Sequence, residues 1–155
     1  MLQFGLDSWE ALSTILTHRI FLVTLTAWLA ASLIKVLIHL VQHNRFDFML
    51  LLDTGRMPSS HSAFVAALAT CLGLEAGWGS PLFMLALGFA LLVMNDAAGV
   101  RRAAGHQAHI LNRIVDDMYE KRPFRPERLK EFLGHTRLEV MTGMTIGLVW
   151  SLVFY

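Results

Sequence analysis

The run from Ile20 to Val41 places the strongest limit on how this chain can fold. It holds 22 residues, and the strongly polar types that interrupt it are Lys35 and His39. An α-helix rises about 1.5 Å per residue, so this run is long enough to cross a hydrocarbon layer about 30 Å thick. Residues 1–17 contain no Lys or Arg, which a signal peptide would need, so we expect the run to be a retained membrane span.

Three further apolar runs follow, at Ser62–Leu74, Pro81–Ala98 and Leu138–Tyr155. Across the 155 residues, 55% are hydrophobic and 16% are charged, which is too apolar for an ordinary soluble domain. The run Ser62–Leu74 is short and spans a bilayer only if its flanking residues are included. The sequence therefore predicts an all-α polytopic membrane protein with about four transmembrane helices, forming a single domain over residues 1–155.

Two amphipathic segments and one further short helix are predicted besides these runs. The stretch FGLDSWEALSTIL at residues 4–16 has apolar residues at helical spacing, so it predicts a helix in the membrane interface or an extension of the first span. A short helix is also predicted from Pro126 to just before Gly134, since Pro suits the first helical position and Gly the position after the last. A cytoplasmic amphipathic helix outside the hydrocarbon is predicted from apolar residues at spacings of four and three, namely Ala104, Ala108, Leu111, Val115 and Met118.

The basic residues predict how the chain is oriented in its membrane. Nine of the 13 Lys and Arg residues lie between Arg101 and Arg137, the 42–57 connection has two, and the 75–80 connection has none. Lys and Arg concentrate in cytoplasmic loops, and in a four-span chain both basic connections lie on one side. We therefore expect an integral protein of a bacterial inner membrane with these connections in the cytoplasm.

This orientation places the conspicuous polar residues near the spans at one face of the membrane. Ionisable groups in or beside spans are costly and are functional candidates by default. Cations can neutralise a phosphate, one histidine can attack phosphorus while a carboxylate orients its ring, and a second histidine can protonate the leaving oxygen. The spacing His135-x-x-x-Glu139 suits such a pair. The candidate phosphatase site comprises Lys35, Ser59, Ser60, His61, Asp96, Arg101, Arg102, His135 and Glu139.

Three stretches carry a resemblance to a known family: MPSSHSA at 57–63, NDAAGVRRAAGHQAHILN at 95–112 and LKEFLGHTRLEV at 129–140. They are similar to the divergent membrane branch of the type 2 phosphatidic acid phosphatase superfamily, which also includes vanadium haloperoxidases. The resemblance implies a metal-independent, cofactor-free phosphatase that forms a phosphohistidine on a helical scaffold and often acts on lipid phosphates. The small size of the chain leaves little room for a soluble-substrate pocket, which favours a lipid phosphate among membrane lipids over a soluble sugar phosphate. It implies His135 as nucleophile, Glu139 in the usual place of Asp, His61 as general acid and Ser59 in the phosphate cradle.

The sequence also departs from the family pattern. Ser60 replaces the superfamily glycine, and Leu129 stands where an arginine usually precedes the nucleophile by six residues. Even against the divergent branch, Arg56 and Arg137 stand where Gly and Pro are expected. An arginine that contacts phosphate would then be one of Arg101, Arg102 and Arg128, or that role is empty.

Several of these residues have structural interpretations as well. Thr136-x-x-Glu139 is a capping box, and serines beside His61 are ordinary at a helix entrance. Lys35 lies close enough to the end of its span to extend its amine to the headgroups, and Arg101 with its neighbour Arg102 can anchor the chain at the membrane surface.

Asp96 and the glycines of the last run each have more than one interpretation. Asp96 can pair with an arginine or hold its loop, and a metal site is the weaker interpretation because no second carboxylate lies at a ligand spacing. Gly143-x-x-x-Gly147 allows close helix packing, either within the monomer or in a homodimer.

Two functions without catalysis are alternatives to the phosphatase, and the first fits the sequence better than the second. A non-catalytic membrane protein would use the same basic pocket to bind anionic lipid or to scaffold partners. A transporter would show internal repeats, which the sequence lacks. No nucleic-acid partner is expected, because basic residues in the 121–130 stretch alternate with acids and prolines.

Overall fold

All regular elements in the described part of the chain are α-helices, which confirms the all-α prediction. A computed structural model describes residues 8–44, 46, 56–119 and 134–155. The short helix predicted from Pro126 to just before Gly134 falls outside these residues. The helices are α1 (Ser8–Thr17), α2 (Arg19–His43), α3 (Ser60–Ala76), α4 (Pro81–Ala98), α5 (Val100–Tyr119) and α6 (Arg137–Phe154).

Local sequence signals set the helix ends. The Ser80 side chain accepts a hydrogen bond from the Phe83 amide, and Pro81 occupies the first helical position of α4. At the other end of a long helix, Asn44 stops α2 in the left-handed conformation, with φ of 50°, and its amide donates to the Leu40 carbonyl. These ends are fixed by side-chain and backbone chemistry that is local in sequence.

The N-terminal amphipathic segment forms α1, a helix separate from the first span. His18 adopts an extended conformation between α1 and α2, so the helical hydrogen-bond ladder is interrupted there. Its apolar residues Trp9, Leu12, Ile15 and Leu16 are exposed, as an interfacial helix requires. The alternative of a continuous extension of the span is therefore wrong.

Helix α3 lies at the centre of a bundle and contacts α2, α4 and α6. Ten of its 17 residues are buried, and most of them are Ala, Ser or Gly, so neighbouring backbones can approach closely. Helix α2 is antiparallel to α6, because Trp150 donates to Thr26 while Arg19 lies over the Tyr155 ring. Helices α3 and α6 are parallel, as the contacts of two glycines in α6 establish.

Gly143 and Gly147 bring α6 directly against the backbone of α3. A Cβ built on Gly143 would overlap the Ser59 carbonyl oxygen, and one built on Gly147 would overlap the Ala63 carbonyl oxygen. The two contacts advance by four residues in the same direction along both helices, so the helices are parallel. The glycine pair therefore packs inside the monomer and does not form the interface of a homodimer. The homodimer itself stays a prediction.

Three helical segments in the described part of the chain are long and apolar enough to cross a membrane. They are Arg19–His43, Pro81–Asp116 and Arg137–Phe154, the second of which combines α4 with most of α5. Helix α3 is apolar but has 17 residues, about 26 Å at the helical rise per residue. The count of four spans stays a prediction, while a helical integral membrane protein is what the structure supports.

Candidate functional site

The ends of three helices meet at one end of the bundle. The His135 amide donates to the Ala97 carbonyl over 2.8 Å, which joins the start of α6 to the last turn of α4. The Ser59 amide donates to the Glu139 carbonyl over 3.1 Å, which joins the start of α3 to the first turn of α6. Two backbone hydrogen bonds thus hold residues that are far apart in sequence at a single site.

His135 and Glu139 form a close pair at the start of α6. The His135 Nδ1 lies 3.1 Å from the Glu139 Oε2, and the His135 side chain is 2% exposed. The same Oε2 accepts the Thr136 amide over 3.0 Å, and the Thr136 hydroxyl accepts the Glu139 amide over 3.3 Å. The capping box and the histidine–carboxylate pair therefore coexist and share one carboxylate oxygen.

This arrangement controls the chemistry that the imidazole can perform. A carboxylate at Nδ1 favours the tautomer with its proton on that nitrogen, which gives Nε2 the lone pair that a nucleophile needs. The carboxylate would also stabilise the positive charge that develops on a reacting ring. Gly134, at φ of 91°, turns the chain into His135 through a conformation that other residues rarely adopt.

The serines at the start of α3 are buried beside this pair. Ser59 caps the helix, because its hydroxyl accepts the Ser62 amide over 3.3 Å and the Ser62 hydroxyl over 2.9 Å. Ser60, the predicted second phosphate contact, is 3% exposed and is the first helical residue. The free amides of a helix N-terminus and buried hydroxyls are groups that can bind an anion.

Lys35 is directed into the bundle rather than toward the membrane surface. Its side chain is 1% exposed, so the alternative in which its amine extends to the headgroups is wrong. Lys35 lies on α2, which runs antiparallel to α6, and the Trp150–Thr26 contact places it nearer the site end of the bundle than the far end. A buried ammonium is costly, and its position makes it a candidate for neutralising a bound anion.

His61 and Asp96 line a cavity on the face of α3 that is turned away from α6. The cavity has a volume of about 580 Å³ and lies between α2, α3 and α4. Asp96 precedes Ala97, whose carbonyl accepts the His135 amide, so the polar end of the cavity lies at the same end of the bundle as the histidine–carboxylate pair. Its remaining lining residues are apolar: Leu25, Trp28, Phe64, Val65, Phe89, Leu92 and Val93.

The remaining candidates are placed less completely. Arg101 and Arg102 belong to the first turn of α5, and their side chains lie outside the described part of the structure. Within the residues described, no group of three or more His, Cys, Asp or Glu side chains is placed to hold a metal ion. That the site works without a metal ion stays a prediction.

The apolar part of the cavity was missed by the sequence analysis. Trp28, Phe64 and Phe89 lie on three different helices. Within its own apolar run, each is an ordinary aromatic residue that could face the lipid or pack in the core. An aromatic residue in each of three apolar runs was the signal available in the sequence, and it does not indicate which faces meet.

Comparison with known proteins places this chain in a family. A model of the divergent PAP2 family matches residues 16–150. The chain is 41% identical over 150 residues to YuiD, an uncharacterized membrane protein of Bacillus subtilis strain 168, and the match covers 90% of this chain and 95% of that protein. No solved structure matches.

Proposed function

The chain belongs to the divergent PAP2 family of membrane proteins, and we propose that it is a metal-independent phosphatase that hydrolyses a lipid phosphate. The observation that carries this proposal is the buried His135–Glu139 pair, which joins the start of α6 to the ends of α3 and α4. A carboxylate-held imidazole is suited to nucleophilic attack, and the phosphohistidine chemistry of the superfamily uses such a group.

In the first step, the Nε2 atom of His135 attacks phosphorus and forms a P–N bond while the P–O bond to the lipid alcohol breaks. His61 donates a proton to the departing oxygen, so the alcohol leaves neutral. Glu139 stabilises the imidazolium through Nδ1. Lys35, the Ser59 hydroxyl, the Ser60 amide and the arginines at the start of α5 would bind the phosphoryl oxygens and neutralise their charge.

In the second step, water attacks the phosphohistidine and the P–N bond breaks. His61 now accepts the proton of the water that it activates, which returns it to its starting state. Inorganic phosphate leaves and His135 is regenerated with its proton on Nδ1. Because His135 is 2% exposed, the site must open for the phosphate to reach it.

The site end of the bundle would face the cytoplasm of a bacterial inner membrane. The 42–57 and 101–137 connections carry 11 of the 13 Lys and Arg residues, and the helix ends that they join lie at that end of the bundle. A phosphate held there belongs to the headgroup of a lipid in the cytoplasmic leaflet.

A non-catalytic lipid-binding protein is the second candidate, and the burial of His135 favours it. A side chain that is 2% exposed serves the α4–α6 contact whether or not it reacts. Such a protein would bind anionic lipids and release no phosphate from them.

Phosphate release by the purified protein tests the proposal. We expect release from at least one of phosphatidic acid, phosphatidylglycerol phosphate and polyprenyl phosphates in detergent micelles with excess chelator present. Release that requires an added divalent metal would contradict the histidine mechanism. No release with or without metal, while a known lipid phosphatase responds in the same assay, would favour the lipid-binding candidate.

The two roles of Glu139 can be separated by two substitutions. Glu139→Gln retains an oxygen that can accept the Thr136 amide, but it removes the charge that stabilises the imidazolium. We expect phosphate release to fall about 10²-fold, with a melting temperature close to that of the wild type.

Thr136→Ala is the matched control for Glu139→Gln. It removes the hydroxyl that accepts the Glu139 amide and leaves the contact between Nδ1 and Oε2 in place. It should cost about 1 kcal/mol of stability and change phosphate release by less than about threefold. Equal losses of activity in the two variants would show that Glu139 acts through the helix cap alone.

A further inference from the structure

A groove beside the candidate site has the form of a binding site for a hydrocarbon chain. Helix α3 forms its floor, and α2 and α4 form its walls, since both pack on α3 while no Cα atoms of α2 and α4 approach within 8 Å in the described part of the chain. Its volume of about 580 Å³ is in the range of small-molecule pockets. Seven of its nine lining residues are apolar and three of those are aromatic.

The two polar residues of the groove lie at one end of it, and apolar residues line the rest. His61 and Asp96 are the lining residues nearest the site end of α3 and α4. Phe89 lies seven residues before Asp96 on α4, about 10 Å deeper in the bundle. One leaflet of hydrocarbon is about 15 Å deep, so the groove ends within a single leaflet.

The outer edge of the groove faces the lipid. Phe89 is 50% exposed and Leu92 is 70% exposed, although both line the cavity. Val65 and Ala69 of α3 pack closely against Ala86 and Ala90 of α4 under the groove. A chain can therefore enter sideways from the bilayer and rest on α3 without leaving an apolar environment.

We propose that this groove binds the hydrocarbon tail of the phosphate-bearing lipid, with the headgroup at His61 and the start of α3 and the tail along Trp28, Phe64 and Phe89. This inference rests on the proposed function for the identity of the headgroup, and it adds that the protein selects its substrate by the tail. The occupant is one chain of a lipid phosphate from the leaflet on the site side. A lipid tail fits because the groove begins at the polar site and ends within the bilayer.

Labelling with a monoalkyl phosphate that carries a diazirine at the far end of a long chain tests the groove without requiring turnover. We expect labelled peptides from α2 and α4 around Leu25 and Phe89, with labelling reduced by an unlabelled long-chain phosphate. The alcohol of the same chain should compete at least about tenfold less well, since it lacks the charged headgroup. Equal competition by the alcohol would mean that the groove holds any membrane lipid, and labelling confined to α1 or α5 would likewise overturn the proposal.

Leu25→Trp fills the groove from its α2 wall, and Leu29→Trp is the matched control. Leu29 is on the same helix and exposed, and it does not line the cavity. For Leu25→Trp we expect labelling and kcat/KM with a long-chain phosphate to fall about tenfold, while kcat/KM with a short water-soluble phosphomonoester changes less than about twofold. Leu29→Trp should change neither quantity.

The outcomes separate this proposal from the proposed function. Specific labelling of the groove without phosphate release from any substrate would sink the phosphatase and leave the tail site standing. Phosphate release that responds equally to Leu25→Trp and Leu29→Trp, or that falls equally with long and short substrates in Leu25→Trp, would overturn the tail site and leave the phosphatase standing.

Discussion

Replacing His135 with alanine is expected to lower phosphate release by at least about 10³-fold, because the nucleophile of the proposed reaction is lost. The backbone hydrogen bond from residue 135 to the Ala97 carbonyl does not need the imidazole, so the contact between α4 and α6 should survive. Loss of a buried side chain costs about 1–3 kcal/mol, which lowers the melting temperature without unfolding the protein. Phosphate release and thermal melting in the same detergent measure the two effects.

His106→Ala is the control for this substitution. His106 lies on α5, where it is exposed, and it has no role in the proposed mechanism. Its replacement should leave activity within about twofold of the wild type, as surface changes away from a site usually do. A His135→Ala variant that keeps more than a tenth of the wild-type rate would contradict a phosphohistidine intermediate. Wild-type protein quenched during turnover of a radiolabelled lipid phosphate should retain label that the variant lacks.

The role of His61 can be distinguished from that of His135 by the leaving group. A general acid matters most when the departing oxygen is strongly basic, as in a lipid alcohol, and least when it is a phenolate that leaves without a proton. His61→Ala should therefore lower the rate with a lipid phosphate about 10²-fold and the rate with an aryl phosphate much less. Equal losses with the two substrates would assign His61 to binding rather than to proton transfer.

The contacts of this site that join residues close in sequence could be predicted, because helix geometry and helix capping determine them. The four-residue spacing of His135 and Glu139 predicts a contact within one helical turn, and the structure has that contact at 3.1 Å. Alternation of the apolar runs across a membrane placed the end of α4 and the starts of α3 and α6 at one face. From the sequence, helix capping and catalysis are competing interpretations of Glu139. In the structure, one carboxylate oxygen contacts both the Thr136 amide and the His135 ring. The spacing of the residues does not show that one oxygen can make both contacts.

Features that depend on which helix faces meet were beyond the sequence. Lys35 has the same neighbours in sequence whether it extends to the headgroups or turns inward, and packing of α2 on α3 and α6 decides its burial. The groove likewise arises because α2 and α4 both pack on α3 while their backbones stay apart within the described residues. The glycine spacing in α6 predicted that another helix packs closely against it, but it did not indicate that this helix is α3.

Gly147→Ala is expected to destabilise the bundle by more than the usual cost of adding one methyl group to a helix. The added Cβ overlaps the Ala63 carbonyl oxygen, and because this atom belongs to a helix backbone, no rotamer change can relieve the clash. Overpacking of this kind costs about 3 kcal/mol, at the upper end of the usual range. For a chain of this length, that lowers the melting temperature by about 10 °C, which thermal unfolding in detergent would measure.

Gly88→Ala and Gly143→Ala show whether the effect of Gly147→Ala comes from the α3 contact and whether that contact supports the site. Gly88 lies within α4, and a methyl group added there would meet nothing within 4 Å, so alanine should stabilise the helix by up to about 1 kcal/mol. Gly143→Ala meets the Ser59 carbonyl, and Ser59 donates its amide to the Glu139 carbonyl. It should therefore reduce phosphate release more than Gly147→Ala at a similar loss of stability. Equal activity in the two variants, measured below both melting temperatures, would mean that the position of Ser59 does not control the His135–Glu139 pair.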